Sequence, residues 1–178
     1  IGDIRDYEKL KKIITLVQPD IVIHMASQAL VLQSYENPIE TYQTNLMGTV
    51  NILNAIRDIS SIKVFINVTS DKCYENNDSL KAFKEGDAMG GFDPYSSSKG
   101  CSELITAAYR SSFFNDTVSI ATARAGNIIG GGDWALNRII PDFIKKINQN
   151  QKLSIRNPRS VRPWQFVLEP LNGYLILA

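Results

Sequence analysis

Across Asp6–Gln18 the apolar residues fall at Tyr7, Leu10, Ile13, Ile14 and Val17, the spacing of a helix with one buried face. Pro19 ends that pattern, and Asp20–Ser27 (DIVIHMAS) follows as a short, nearly continuous apolar run. Such a run predicts a strand covered on both faces. Asn37-Pro38-Ile39-Glu40 predicts a helix start, with a capping side chain, a first-turn proline and a carboxylate three residues past the cap. That helix is expected to run to about Arg57. Lys63–Ser70 (KVFINVTS) reads as a second strand and leads into a long polar segment, Asp71–Phe92. Asp93-Pro94 repeats the cap-proline start for a helix through about Arg110. Val118–Ile129 predicts a third strand before a glycine cluster, Arg138–Asn148 a helix and Lys152–Asn157 a short strand. The apolar end, EPLNGYLILA, opens with Glu-Pro as a helix N-terminus would.

This alternation predicts an α/β fold: a Rossmann-like parallel sheet with helices on both faces. The stretch 130–170 breaks the alternation and predicts extra elements forming a lobe over the sheet edge. Ligands of open α/β sheets bind at the carboxyl ends of strands. Three polar clusters sit at such exits: Ser27-Gln28, Ser70-Asp71-Lys72 and Gly126-Asn127.

Composition narrows the chemistry. The 178 residues are 44% hydrophobic and 21% charged, the mix of an ordinary globular protein. Nineteen Lys and Arg against eighteen Asp and Glu leave a formal charge of +1. That balance lacks the basic excess of a nucleic-acid binder, and no apolar run approaches the roughly 20 residues of a membrane helix. The opening, IGDIRDYEKL, has neither signal-peptide nor transit-peptide character and lacks an initiator Met, so the chain reads as an internal piece of a longer cytoplasmic protein. Cys73 and Cys101 show no CxxC spacing and read as reduced thiols. The single histidine, His24, sits in mid-strand as a packed, hydrogen-bonded residue. With it alone, His-based metal sites and Ser-His-Asp triads fall away, and no metal is expected.

Other acids and bases must therefore act. Tyr95 and Lys99, four residues apart on a predicted helix, share one face. A phenol with a pKa near 10 is a weak base at neutral pH, and a nearby ammonium favours the phenolate. The pair can thus take a proton from an alcohol, or it can simply be a solvated helix face. The Asp93-Pro94 cap and Ser96–Ser98 put Tyr95 in the first turn, at the strand ends, which favours the first reading. At the exit of the second strand, Ser70 could hydrogen-bond a hydroxyl or carbonyl, with Asp71 an acid and Lys72 a base beside it. The plain alternative is a turn-forming Ser-Asp with an exposed lysine.

Tyr95-x-x-x-Lys99, Ser70 and the GDIRD opening resemble the extended short-chain dehydrogenases/reductases. HMASQALVLQSY, TSDKCYEN, DPYSSSK, GNIIGGGDWA and RPWQFVLEPLNGYL are similar to the CDP-glucose 4,6-dehydratase branch of that family. Dehydratases in general carry Thr-Asp-Glu where this chain has Ser70-Asp71-Lys72, a form similar to the CDP-glucose branch. The resemblance implies NAD as cofactor and a nucleotide-sugar substrate. It implies that Tyr95, helped by Lys99 and Ser70, takes the C4 hydroxyl proton as hydride leaves C4. Water is then lost across C5 and C6, with Asp71 as acid and Lys72 as the C5 base or as a stabiliser of enolate charge, before hydride returns to C6 as C5 is reprotonated. As a base at neutral pH, Lys72 would need its pKa lowered by roughly 3 units.

It further implies cofactor contacts at Asp3, Ile4, Met25, Ala26, Ser27, Thr44, Tyr95, Lys99 and Ala125, although Asp3 alone could equally be a helix cap. Gln28, Asn127, Arg138 and Arg162 are the implied substrate contacts. Gly130-Gly131-Gly132 lacks the following Lys-Ser/Thr of a Walker A loop. It is either a flexible strand exit or a bend admitting the sugar nucleotide, with Asn127 and Arg138 on the diphosphate. Arg156, Arg159 and Arg162 read as solvated surface, whereas the resemblance makes Arg162 a pyrophosphate ligand. It also implies a glycine-rich βαβ opening missing ahead of Ile1, and a homodimer or higher oligomer through helices 39–57 and 94–110. Rival readings are a dTDP- or GDP-linked dehydratase and a catalytically silent dinucleotide-binding scaffold.

Overall fold

Asp6 starts the first helix by accepting the Lys9 amide on its side chain at 3.1 Å, and α1 runs Tyr7–Val17. Gln18 closes it in the left-handed region, φ 48°, returning its amide to the Ile14 carbonyl. The structure, a computed structural model, describes residues 2–75, 82–114 and 118–178. They divide into two compact units, residues up to Ala125 with Tyr174–Ala178, and Gly126–Gly173.

The first unit carries a parallel sheet of β1 (Ile21–His24), β2 (Val64–Val68) and β3 (Ser119–Ala123), in that order. Val22, Phe65 and Ile120 lie in register, so one face presents them together. They meet Ile14 of α1 and Ile52, Leu53 and Ile56 of the helix between β1 and β2. Leu53, Ile56 and Phe65 are wholly buried. Closing such side chains away from water contributes roughly 1.5–3 kcal/mol each. Further along the same face the sheet turns polar: His24, Asn67 and Thr122 are register partners. On the opposite face Ile66 is wholly buried as well.

The predicted helix at 37–57 is three pieces in one rod: α3 (Pro38–Tyr42), a π-helical turn (Gln43–Met47) and α4 (Gly48–Ile56). Asn37 precedes it but makes no side-chain cap bond; its carbonyl accepts the Thr41 amide instead. Ahead of this rod lies α2 (Val31–Glu36), a helix the apolar pattern does not announce. Asp93, by contrast, does cap α5 (Pro94–Tyr109), accepting the Ser96 amide at 2.9 Å and the Ser96 hydroxyl at 2.6 Å. A second π-helical turn, Arg110–Phe114, follows.

Two strand expectations are corrected. Val118–Ile129 is not one strand: β3 ends at Ala123, and β4 (Asn127–Ile129) pairs in parallel with β5 (Trp164–Phe166) in a separate sheet. Lys152–Asn157 forms no strand, and Ile155 within it is exposed. Its alternating pattern fits a strand, but a strand needs an edge to pair with, which a local pattern does not reveal. The second unit also holds α6 (Ile139–Asn148), and α7 spans Leu168–Leu177.

Candidate active site

Helix α5 brings Tyr95 and Lys99 to the carboxyl end of the sheet. Tyr95 is 9% and Lys99 5% exposed, so the pair is not a solvated helix face. The Tyr95 amide donates to Ser34 Oγ at 3.1 Å, which ties the first turn of α5 to α2. Lys99 Nζ donates to the Val68 carbonyl at 3.3 Å, two residues before Ser70. The lysine of one element therefore reaches the exit of the strand that carries the Ser-Asp-Lys triplet. Burial holds the Lys99 ammonium down at a pKa of about 8, and the Glu103 carboxylate opposes that fall.

Ser70 starts a tight 3-10 turn, Asp71–Cys73, in which its Oγ accepts the Lys72 amide at 3.2 Å and donates to Asp71 Oδ1 at 3.1 Å. The hydroxyl and carboxylate thus lie side by side. Cys73 behind them is buried, its thiol pushed up to about 11 chiefly by desolvation. It is an inert wall rather than a nucleophile.

A polar layer lies under this site. His24 is buried 3.3 Å from Thr49 Oγ1, as expected of a packed histidine, and desolvation with the nearby Lys99 charge lowers its pKa to about 4. Thr49 shares a hydrogen bond with Ser102, which accepts from Asn67. Asn45, in the first π-helical turn, joins the loop after β1 to α5: it bonds both backbone groups of Gln28 and donates to Ser98 Oγ at 2.9 Å. The Gln28 side chain holds its own loop, reaching Thr41 Oγ1 at 2.9 Å and both backbone groups of Leu30.

The other candidates lie as follows. Asp3 is exposed and forked by Arg5, whose guanidinium and amide hold its carboxyl down at about 2; Asp6, not Asp3, caps α1. Ile4 packs on Gly48, where a Cβ would stand 2.8 Å from Ile4 Cγ2, so only glycine lets this dipeptide approach the helix. Met25 and Ala26 are exposed at the β1 exit, and Ser27 and Thr44 are half-buried. Ala125 accepts the Asp71 amide at 3.2 Å. In the second unit, Asn127 starts β4 opposite Trp164, two residues beyond Arg162, and Arg138 pairs with Asp133 at 2.9 Å. Arg162 donates to the Val161 carbonyl at 2.8 Å and is exposed. Among the described residues there is no cluster of three or more His, Cys, Asp or Glu able to hold a metal, and no helix long and apolar enough to cross a membrane.

The family model for GDP-mannose 4,6 dehydratase matches residues 1–177. The chain belongs to that family. It is 54% identical, over its whole length, to a CDP-glucose 4,6-dehydratase of Salmonella typhimurium, and covers 51% of that protein. A dTDP-D-glucose 4,6-dehydratase of Dictyostelium discoideum is 28% identical over 99% of this chain and 42% of its own. The chain spans about half the length of the curated relatives it matches. Among solved structures, a dTDP-glucose 4,6-dehydratase of Streptomyces venezuelae with NAD and DAU bound superposes with a TM-score of 0.88 at 23% identity. That match covers 99% of this chain and 53% of that one. The Rossmann-type fold expected from the alternation is thereby established.

Sequence reasoning missed Glu103, Arg124, Ser34 and Asn45, all of which hold the site. Glu103 had a signal: it lies four residues after Lys99 and eight after Tyr95, on their helical face.

Proposed function

We propose that the protein is an NAD-dependent nucleotide-sugar 4,6-dehydratase acting on CDP-glucose, a cytoplasmic lyase of deoxysugar synthesis. The observation that carries this reading is the bond from Lys99 Nζ to the Val68 carbonyl, which gathers Tyr95, Lys99 and Ser70-Asp71-Lys72 at one strand end. The 54% identity to a CDP-glucose 4,6-dehydratase supports the choice of nucleotide.

Tyr95 takes the C4 hydroxyl proton, with Lys99 favouring the phenolate electrostatically. Ser70 orients that oxygen. With a ketone at C4 the C5 proton is acidic; Lys72 removes it or stabilises the enolate charge, and Asp71 protonates the departing C6 hydroxyl as water. NAD, when bound, would supply the hydride chemistry, accepting from C4 and returning to C6 as C5 takes back its proton. The residues fit such a cofactor: the Asp3-Ile4 platform seated on Gly48, the open Met25–Ser27 strand exit, half-buried Thr44, and Ala125 on the Asp71 amide. Asn127, Arg138 and Arg162 serve the diphosphate, with 130–170 contributing to a substrate-binding lobe and Gln28 ordering the loop beneath the sugar. Exposed Met47 and Leu104 support self-association through the helices at 38–56 and 94–109.

The test is to incubate the full-length protein separately with CDP-, dTDP- and GDP-glucose and assay the 4-keto-6-deoxy product. CDP-glucose is expected to give product. Turnover of only dTDP- or GDP-glucose reassigns the base, and no product from any of them leaves a silent scaffold. Tyr95→Phe is expected to lower turnover by roughly 10²–10⁴-fold.

A further inference from the structure

We propose that Glu103 and Arg124 are positioning residues, a clamp that fixes the Ser70-Asp71-Lys72 turn and the 82–90 segment on the helix carrying Tyr95 and Lys99. The inference rests on the dehydratase reading for its chemistry, but its geometry stands alone. Glu103 is buried on α5 and accepts four hydrogen bonds. Its Oε1 takes Thr69 Oγ1 and Arg124 Nε, the latter at 2.8 Å. Its Oε2 takes Thr122 Oγ1 at 2.7 Å and Arg124 Nη2 at 2.8 Å. The pair is a two-pronged fork, the geometry that a guanidinium holds and an ammonium does not.

Two partners of this carboxylate, Thr69 and Arg124, lead to the site. Thr69 immediately precedes Ser70. The Thr69 and Asp71 amides, flanking Ser70, donate to the carbonyls of Ala123 and Ala125, which flank Arg124. The third guanidinium nitrogen, Nη1, donates at 3.0 Å to the Tyr74 hydroxyl and at 3.0 Å to the Glu85 carbonyl. The guanidinium also lies 5.0 Å from the Tyr74 ring centre, and Tyr74 stacks on Phe83 at 4.6 Å. The 82–90 segment is laced to the same turn by Glu75 N to Ala88 O and Gly90 N to Cys73 O, each 2.9 Å. One ion pair, its carboxylate buried and its guanidinium half-buried, therefore joins α5, the exits of β2 and β3, and the 82–90 segment.

The chemistry gives the clamp a specific consequence. Tyr95 and Lys99 are built on α5 itself, whereas Ser70, Asp71 and Lys72 hold their place through the turn that Thr69 and Tyr74 bracket; C4 oxidation depends on that turn through Ser70 alone, and loss of water through both Asp71 and Lys72. Loosening the clamp should slow loss of water more than oxidation at C4. A salt bridge that merely held the fold would slow both alike.

The experiment uses the full-length, NAD-loaded protein and Arg124→Lys, which keeps the charge and loses the fork. Thr122→Val, a milder cut that removes one donor to Glu103, covers the case in which Arg124→Lys does not fold. Single-turnover absorbance of the reduced nicotinamide reports C4 oxidation, and product assay reports completion. Amide exchange of peptides covering 69–75, 82–90 and 94–109 reports the geometry without any substrate. We expect product formation to fall at least about tenfold more than C4 oxidation, on the scale of a loss of about 1.4 kcal/mol in one step. Exchange should quicken at 69–75 and 82–90 but not at 94–109. Equal slowing of both steps, or unchanged exchange at 69–75 and 82–90, overturns the inference. If the parent makes no 4-keto product from any of the three sugars, the dehydratase reading fails, while the exchange result still decides whether the clamp exists.

Discussion

At the scale of single residues, the buried ammonium of Lys99 is the most informative group. Desolvation brings its pKa to about 8, so it sheds its proton within the working range of an enzyme. The charged group acting on it is Glu103 four residues along α5, which favours the ammonium, while burial and, after it, the ammonium hold His24 of β1 neutral. Because the ammonium is the form that supports the Tyr95 phenolate, kcat/KM for the sugar nucleotide should fall on the alkaline side with a midpoint near pH 8. Lys99→Arg, charged throughout, should lose that limb while working more slowly. An alkaline limb that stays put in this variant would assign it to another group. His24 makes the complementary case. Its folded pKa of about 4 lies below the ordinary 6.5, so between these values the unfolded chain binds the proton more readily. The stability that neutral His24 retains at pH 7 is thus lost as pH falls through about 6.5 towards 4. Urea midpoints should show the parent losing about 2 kcal/mol more than His24→Gln between neutral pH and roughly pH 4.5.

At the scale of elements, helix α5 does most to assemble the site. Its cap, its Tyr-Lys face and its carboxylate are set by sequence spacing, but its seat against the 82–90 segment depends on Gly100. A Cβ there would stand 2.8 Å from the Gly90 carbonyl, a backbone atom that cannot swing aside. Gly100→Ala should therefore destabilise by about 1–3 kcal/mol in thermal or urea unfolding. Gly86→Ala, with nothing within 4 Å of its Cβ, should be close to neutral. The two π-helical turns show the other side of this scale. The amphipathic pattern at 37–57 predicts a helix and one forms, but the wide turn at Gln43–Met47 coincides with Asn45 bonding both Gln28 and Ser98. Periodicity carries no signal for such a turn, because one inserted residue is lost in the noise of a short helix.

At the scale of the molecule, the two units differ in what they bury. The first holds the apolar cluster of Ile14, Ile52, Leu53, Ile56, Phe65 and Ile120. In the second, Pro141 and Pro170 are the buried residues, while Trp134, Leu136, Ile147 and Val161 are exposed. Hydrogen exchange should accordingly be far slower at Val64–Val68 and Gly48–Ile56 than at Asn127–Ile129. If Gly126–Gly173 takes part in holding the sugar nucleotide, adding CDP-glucose should slow exchange in that unit, which dTDP-glucose at equal concentration should do less. Equal exchange in both units before ligand would contradict this account of their packing.

By itself the sequence determined what local rules govern. The strand–helix alternation, the Asp93 cap, and Tyr95 with Lys99 on one helical face all follow from repeat lengths and from side-chain bonds reaching three or four residues. The parallel fold and the site's position at the strand ends follow in turn from that alternation. Only the tertiary structure decided what depends on residues far apart in the chain. Glu103 and Arg124 meet across 21 residues because α5 folds back on the sheet, and β4 finds β5 rather than continuing β3. Lys152–Asn157 has a strand's pattern and no ladder. Pairing and burial are properties of two segments at once, and a pattern read along one segment contains only half of each.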